Sequence, residues 1–359
     1  MKYFPTHSSS RIKAVLTLLL SAPWVCLAQV PLPYLVGTGT QLEFVGFPVH
    51  SPALDAGAVS TVGGTLVSWS PSFTDRPFAA ALRTGQEYYA EVVGPTGHAW
   101  LGHRFELDEA ATKARTDHGL VAATSLFNTR GLPNTSLVGA RLEVRPHLTV
   151  AGLWGETIRN RILYGREKDA SFLFSVGAPG TPAGTRSVTA SLPRPTDPLG
   201  WIDSFTKTPA PQPLLIPPGT AVAVTFGQRR GSSFGFTGES RSWPTAAPLQ
   251  AGANLLAYPY PRDMRLGMDW GTSREGFRGL PKPSPAQDQI DLLVGTGRRS
   301  FAPELQPKGG IRWRLLDPVY VNARWAMPAS YLDTIPVGEG FLLRKNRAEA
   351  THVFHPPKP

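Results

Sequence analysis

Ala58-Val59-Ser60-Thr61-Val62-Gly63-Gly64-Thr65-Leu66-Val67-Ser68-Trp69 decides the class of this fold. Ala58, Ser60 and Val62 alternate with Val59 and Thr61, the period of two that sets successive side chains on opposite faces of a strand. Gly63-Gly64 then supplies a tight turn at the one residue type that takes a positive φ without steric cost. Residues 65–69 return with the same alternation, so the segment predicts a β-hairpin.

The flanking sequence has the same character. Tyr88-Tyr89-Ala90-Glu91-Val92-Val93 predicts a strand closed by Gly94-Pro95-Thr96-Gly97, and residues 104–108 predict another. In 139–145, Leu142 and Val144 alternate with Arg141, Glu143 and Arg145, which predicts a strand with one wet face. Residues 108–115 are the best helix candidate, and a short one. Proline and glycine number 36 each in 359 residues, a density that long helices do not survive. The predicted fold class is all-β, built as several small β-sandwich or barrel-like modules.

A first module is expected over 29–150. Beyond it, Pro-rich stretches at 206–219 and 279–287 separate strand-like pieces, and one phrase recurs. Ile216-Pro217-Pro218-Gly219-Thr220-Ala221-Val222 is echoed by Ile335-Pro336-Val337-Gly338-Glu339-Gly340-Phe341, 119 residues later. Asp169 and Asp288 precede apolar strands at the same offset. The echo predicts a duplicated unit in the C-terminal two thirds, one copy over 151–245 and the other over 246–359.

The start of the chain reads as a secretory signal peptide over 1–28. Lys2, Arg11 and Lys13 precede the apolar run 14–27, with Cys26 and Ala28 at the small-residue positions before a cut at Gln29. The run is too short for a spanning helix and holds Pro23, and no later stretch predicts a transmembrane segment. Cys26 is the single cysteine and leaves with the leader, which excludes disulfides, thiolate metal sites and a cysteine nucleophile from the mature chain. The leader removes three bases and no acid, taking the net charge from +10 to +7. Outside the cell such a charge points to an anionic polysaccharide or another envelope polymer rather than nucleic acid.

Motifs for chemistry are incomplete. Gly231-Ser232-Ser233-Phe234-Gly235 has the spelling of a nucleophile elbow, and Asp263 or Asp269 with His352 or His355 would complete the chain order. Its flanks, Arg229-Arg230 and a Gly/Ser loop, are not the strand and helix such an elbow needs. His98, His103, Glu106, Asp108 and His118 are the clustered metal-ligand types, but the histidines are five apart across glycines rather than four apart on a helix. Gly295-Thr296-Gly297 lacks the third glycine of a phosphate cradle. No cofactor and no metal are implied. Asp288 with Asp291, or Asp263 with Asp269, are the acid pairs a glycosidase would use. Tyr258, Tyr260, Trp270, Trp313 and Trp325 are the candidate glycan-stacking platform, with Pro259 and Pro261 stiffening the first two.

The chain resembles a family of uncharacterised exported bacterial proteins best represented in verrucomicrobial genomes. The likeness lies in Phe44-Val45-Gly46-Phe47-Pro48, the 57–67 hairpin, the Tyr88-Tyr89-Ala90-Glu91-Val92 strand and residues 104–108. It continues through Gly139-Ala140-Arg141-Leu142-Glu143-Val144-Arg145-Pro146-His147-Leu148-Thr149, then 254–261 and 335–344. The resemblance implies an exported β-protein and supplies no catalytic residue. The function expected is that of a non-enzymatic structural or interaction protein of the envelope or matrix, periplasmic, cell-surface or secreted. The alternative is a carbohydrate-binding or carbohydrate-active protein acting on an acidic glycan.

Overall fold

The computed structural model describes residues 27–31, 42–71, 82–83, 85–117, 119–123, 133–149, 152, 172–175, 186–191, 200–203, 208, 215–225, 235–249, 251–266, 277, 280, 287–294, 297–308, 311–316, 319–321, 324–326, 334–346 and 349–354. The fold is all-β. Among these residues the α-helix is one five-residue turn, Glu109–Lys113, capped by the Asp108 carboxylate on the Ala111 N–H at 2.8 Å. Among the described residues no helix is long and apolar enough to cross a membrane.

The predicted hairpin forms between Asp55–Gly63 and Leu66–Pro71, with Gly64 at φ 63°. Gly63 pairs with Leu66, so the two turn residues are Gly64 and Thr65, one position later than the glycine pair suggests. The hairpin belongs to a six-stranded antiparallel sheet in the order Arg104–Glu106, Tyr88–Gly94, Arg141–Pro146, Asp55–Gly63, Leu66–Pro71, Gly119–Val121. One face carries Val59, Val67, Tyr88, Ala90, Val92, Phe105, Leu142 and Val144, and these pack with Trp100, Leu107, Leu120 and Leu137 into a core. Burial of that face is the main stabilising term of this sheet, at about 25 cal/mol for each Å² removed from water.

This sheet does not begin at residue 29. Leu27–Pro31 pairs with Gly235–Ser240, and Leu42–Gly46 pairs with Ala221–Thr225, so both strands close sheets with partners nearly two hundred residues on. The six-stranded sheet itself draws its strands from 55–146.

Two five-stranded antiparallel sheets account for most of the remainder. The first runs Gly200–Asp203, Arg186–Ser191, Phe172–Ser175, Ala221–Thr225, Leu42–Gly46, and the second runs Ile311–Leu315, Gly297–Leu305, Gln289–Val294, Gly340–Lys345, Gly252–Ala257. Ala221 stands opposite Gly46 in one, and Gly340 stands opposite Ala257 in the other. The two echoed phrases enter these sheets alike. Thr220 N–H donates to the Pro217 carbonyl and Glu339 N–H to the Pro336 carbonyl, each at 3.1 Å, with Gly219 and Gly338 at φ 77° and 79°. Each phrase's isoleucine lies in a two-residue strand, Ile216 against Leu148 and Ile335 against Met264.

The sheets meet reciprocally. Gly46 N–H donates to the Gly338 carbonyl at 2.8 Å, and Ala257 N–H donates to the Gly219 carbonyl at 3.0 Å. Val45 bridges Glu339 while Leu256 bridges Thr220. Ala221, Leu255 and Ala257, with Phe44 and Leu342, fill the seam. The second sheet's other face forms a separate core around Phe301, Trp313, Phe341, Leu343 and Phe354.

Candidate functional site

The six-stranded sheet has a second face, and alternation dictates its content. Tyr89 and Glu91 on Tyr88–Gly94 share it with Arg104 and Glu106 on one neighbour and with Glu143 and Arg145 on the other, because Glu91 pairs with both Arg104 and Glu143. The sequence predicts that this face is wet. The structure buries its centre, with Tyr89, Glu91, Arg104 and Arg145 at 5% exposure or less. The covering residues come from elsewhere: His50, Glu239, Arg241, Trp243 and Thr245.

The charges are met across the joint. Arg241 NH1 donates to Glu91 Oε1 and, at 3.1 Å, to Thr245 Oγ1. Arg145 NH1 donates to Glu239 Oε2 and to the Ser51 carbonyl, both at 2.6 Å, while its NH2 holds Glu143 within the sheet. Arg104 NH1 reaches the Pro218 carbonyl at 2.9 Å and the Ala246 carbonyl at 3.5 Å. One guanidinium thus touches both the first echoed phrase and the strand Thr245–Leu249. Trp243 sits under two cations, with Arg145 Cζ and Arg241 Cζ each 5.4 Å from its ring centroid, and His50 stacks at a tilt 5.4 Å away. A backbone contact completes the joint. Ala246 N–H donates to Gly102 O at 2.9 Å, and Gly102 sits at φ 82° where a Cβ would fall 2.3 Å from the Pro244 carbonyl oxygen.

Burial governs the protonation of these groups. Desolvation and the charges of Arg241 and Arg145 pull the His50 imidazole down to about 2, so it is neutral at any ordinary pH. Desolvation, with Glu91 beside it, pushes the Tyr89 phenol up to about 12. Burial is the largest single influence on Arg241 and would lower it, but the Glu91 charge and hydrogen bond together with Tyr89 and Tyr260 outweigh it and hold the guanidinium above its ordinary value. Burial would raise Glu106; the hydrogen bond and charge of His147 outweigh it and bring the carboxyl below the usual range. Next to the joint a small cleft is lined by Phe47, His50, Tyr89, Leu148, Ile216 and Pro217. Nothing in the cluster pairs a nucleophile with a base. Its chemistry is that of a clamp.

The sequence-derived candidates fall as follows. Tyr258, Tyr260 and Trp313 are 4%, 0% and 1% exposed and belong to the second sheet's core, so these three present no ring face to a sugar, which corrects the platform expectation for them. Tyr260 spends its hydroxyl on the Trp243 and Phe354 carbonyls. The stiffness of the Tyr-Pro-Tyr-Pro phrase serves packing, with the two tyrosine rings 4.8 Å apart edge to face. Trp325 lies on Arg324–Ala326, and its side chain, like the whole of Trp270, is outside the described residues.

Asp288 and Asp291 do not share an open groove. Asp288 Oδ2 takes the buried Lys345 Nζ at 2.7 Å and its Oδ1 the Asn346 N–H at 2.9 Å. Asp291 Oδ1 accepts from Gln289 Nε2 at 2.6 Å and Ser300 Oγ at 2.7 Å. Asp263 accepts the Val337 N–H at 2.9 Å. Ser233, Asp269, His118 and His355 lie outside the described residues, as does the side chain of His352. His103 is buried beside Trp100, ring centroids 5.6 Å apart. Among the described residues no group of three or more His, Cys, Asp or Glu is placed to hold a metal ion.

Sequence reasoning missed Arg241 and Glu91 altogether. The available signal was a glutamate and two arginines inside strands whose other face is strongly apolar, a face too highly charged for its place in the chain to be only solvated. No protein-family model matches the chain, and neither the curated proteins nor the solved structures give a match.

Proposed function

We propose that this chain is an exported, non-catalytic interaction protein of the cell envelope or extracellular matrix. In this reading two copies of one β-unit, 29–46 with 148–240 and then 245–354, carry the six-stranded sheet as an insertion in the first copy, and the mature chain binds an anionic polymer. The matched strand orders, the like-for-like turns at Gly219 and Gly338 and the reciprocal hydrogen bonds at the seam support the duplication. The leader-like first 28 residues support export.

The observation that carries the non-catalytic reading is the commitment of the acids. Glu91, Glu143, Glu239, Asp288 and Asp291 each hold a guanidinium or ammonium group, and the largest such cluster joins the inserted sheet to both units. A general acid or nucleophile needs a carboxyl open to substrate. The test is a panel of ester, peptide and glycosidic substrates with the exported full chain, alongside sequencing of its mature N-terminus. Start at or near Gln29 and no turnover are expected. Turnover abolished by Ser233→Ala or Asp263→Asn would overturn the reading, and an intact Met1 in the membrane fraction would overturn export.

A further inference from the structure

The second five-stranded sheet has one face in its core, and alternation places a different set on the other. Ile290 and Leu292, Phe301, Ile311, Trp313 and Leu315, and Phe341 and Leu343 point inward. Their neighbours Asp291, Arg298, Ser300, Glu304, Arg312, Arg314 and Arg344 therefore share the outer face. At Leu342 this face is covered by Phe44 of the first sheet. Elsewhere it is open on both sides of the Leu342–Asp291–Ser300 row, with Arg344, Arg314 and Arg312 to one side and Arg298 to the other. The Arg298, Arg344 and Arg314 side chains are 53%, 51% and 36% exposed and Arg312 is exposed as well.

Three of these arginines are held in the same manner. Arg344 Nε lies 2.9 Å from Asp291 Oδ2, Arg298 Nε lies 3.9 Å from Asp291 Oδ1, and Arg314 Nε donates to Glu304 Oε2 at 2.7 Å. The contact nitrogen is the one nearest the stem each time. The carboxylates orient the guanidinium planes through Nε, and the terminal nitrogens, which form the fork that matches a carboxylate or sulfate, hydrogen-bond no carboxylate among the described residues. Asp291 is itself 2% exposed and pinned by Gln289 and Ser300, so it is a fixed anchor rather than a competing surface anion. Four guanidinium groups over two carboxylates leave the face net positive. Strand spacing of about 4.8 Å puts Arg344 and the Arg312–Arg314 strand roughly 14 Å apart, a length that suits a row of charges rather than one ion.

We propose that this face is the docking surface for a linear anionic polysaccharide, its carboxylate or sulfate groups taken by the terminal nitrogens of Arg298, Arg312, Arg314 and Arg344. The assignment rests on the anionic-polymer reading above and gives it a location. The experiment uses the full mature chain with polygalacturonate, dextran sulfate and neutral dextran at about 50 mM and about 300 mM NaCl, a range over which the Debye length shortens from roughly 14 Å to 6 Å. Binding to one or both anionic polymers at low salt and none to dextran is expected, and the two polymers separate carboxylate from sulfate preference. The Arg298→Gln/Arg312→Gln double variant weakens it about tenfold, on the scale of two exposed ion pairs. Arg83→Gln/Arg141→Gln removes the same charge from exposed positions on the inserted sheet and changes binding less than about twofold. Arg344→Lys keeps the charge but loses the fork, and it also weakens binding. Equal losses in the two double variants would overturn this site while leaving the anionic-polymer reading intact. No binding of the wild type to either anionic polymer at low salt would overturn both.

Discussion

Two arginine clusters in this molecule use the same chemistry to opposite ends. At the joint, Arg145 and Arg241 side chains are 2% and 1% exposed, and their terminal nitrogens point into carboxylates and carbonyls of other segments. On the second sheet, Arg298 and Arg344 are about half exposed and touch carboxylate only through Nε. A buried guanidinium is cut off from water and turns to protein carboxylates and carbonyls for its strongest contacts, so it fixes segments against one another. An exposed one keeps its hydration and can exchange it for a ligand anion. Burial, not residue type, separates clamp from docking surface.

The largest effect expected from breaking this contrast is at the joint. Arg241→Met leaves Glu91 charged at 0% side-chain exposure, and destabilisation of about 3–5 kcal/mol is expected in denaturant unfolding. The double replacement Glu91→Leu/Arg241→Met should recover a large part of it, because the uncompensated charge is gone. Recovery is the diagnostic: a double variant as weak as the single would show that the pair supplies more than charge neutralisation.

Gly102→Ala tests the backbone part of the same joint. The alanine must hold φ near 82° and place its Cβ 2.3 Å from the Pro244 carbonyl, so a loss of about 2–4 kcal/mol is expected in thermal or denaturant melts. A loss under about 0.5 kcal/mol would mean the loop and Pro244 separate easily.

His50 makes the joint sensitive to acid. Its folded pKa of about 2 lies far below the unfolded value near 6.5, so between those values the unfolded chain binds a proton that the native chain refuses. Stability therefore rises with pH across this window and is lost on acidification, by about 2 kcal/mol between pH 6.5 and pH 5. Arg145, Arg241, Trp243 and the Ser51 carbonyl surround the ring. His50→Asn should flatten that slope in melts taken across the range; an unchanged slope would assign the acid sensitivity to other groups. Glu106, held low by His147, adds a further loss only below the ordinary carboxylate range near 4.3.

The smallest effect marks the other side of the comparison. Arg298→Gln and Arg312→Gln should leave stability within about 0.5 kcal/mol, since exposed pairs contribute little, while the joint variants that stay folded keep their polymer binding. Stability and binding would then map to different arginines.

Local pattern made much of the fold legible. The hairpin at Gly64, the strands around Glu91 and Val144 and the helix cap at Asp108 follow from alternation, a turn glycine and a capping carboxylate, all short-range effects. The repeated Ile-Pro-x-Gly phrase led to two turns of the same geometry because proline and glycine dictate φ wherever they stand. The partner strand of Leu42–Gly46 and the cover over the Arg145 face were not legible. Which edge strand Leu42–Gly46 joins, and what covers the polar face of the inserted sheet, depend on partners nearly two hundred and about ninety residues away. By itself the sequence determined the all-β class, the turns, the single cysteine and the positive charge. Only the tertiary structure decided that Tyr258, Tyr260 and Trp313 are core, that Arg145 and Arg241 are spent inside and that Arg298, Arg312 and Arg344 stay outside. The reason is that exposure belongs to the assembled surface, and alternation along one strand states which face a side chain takes without stating what lies against it.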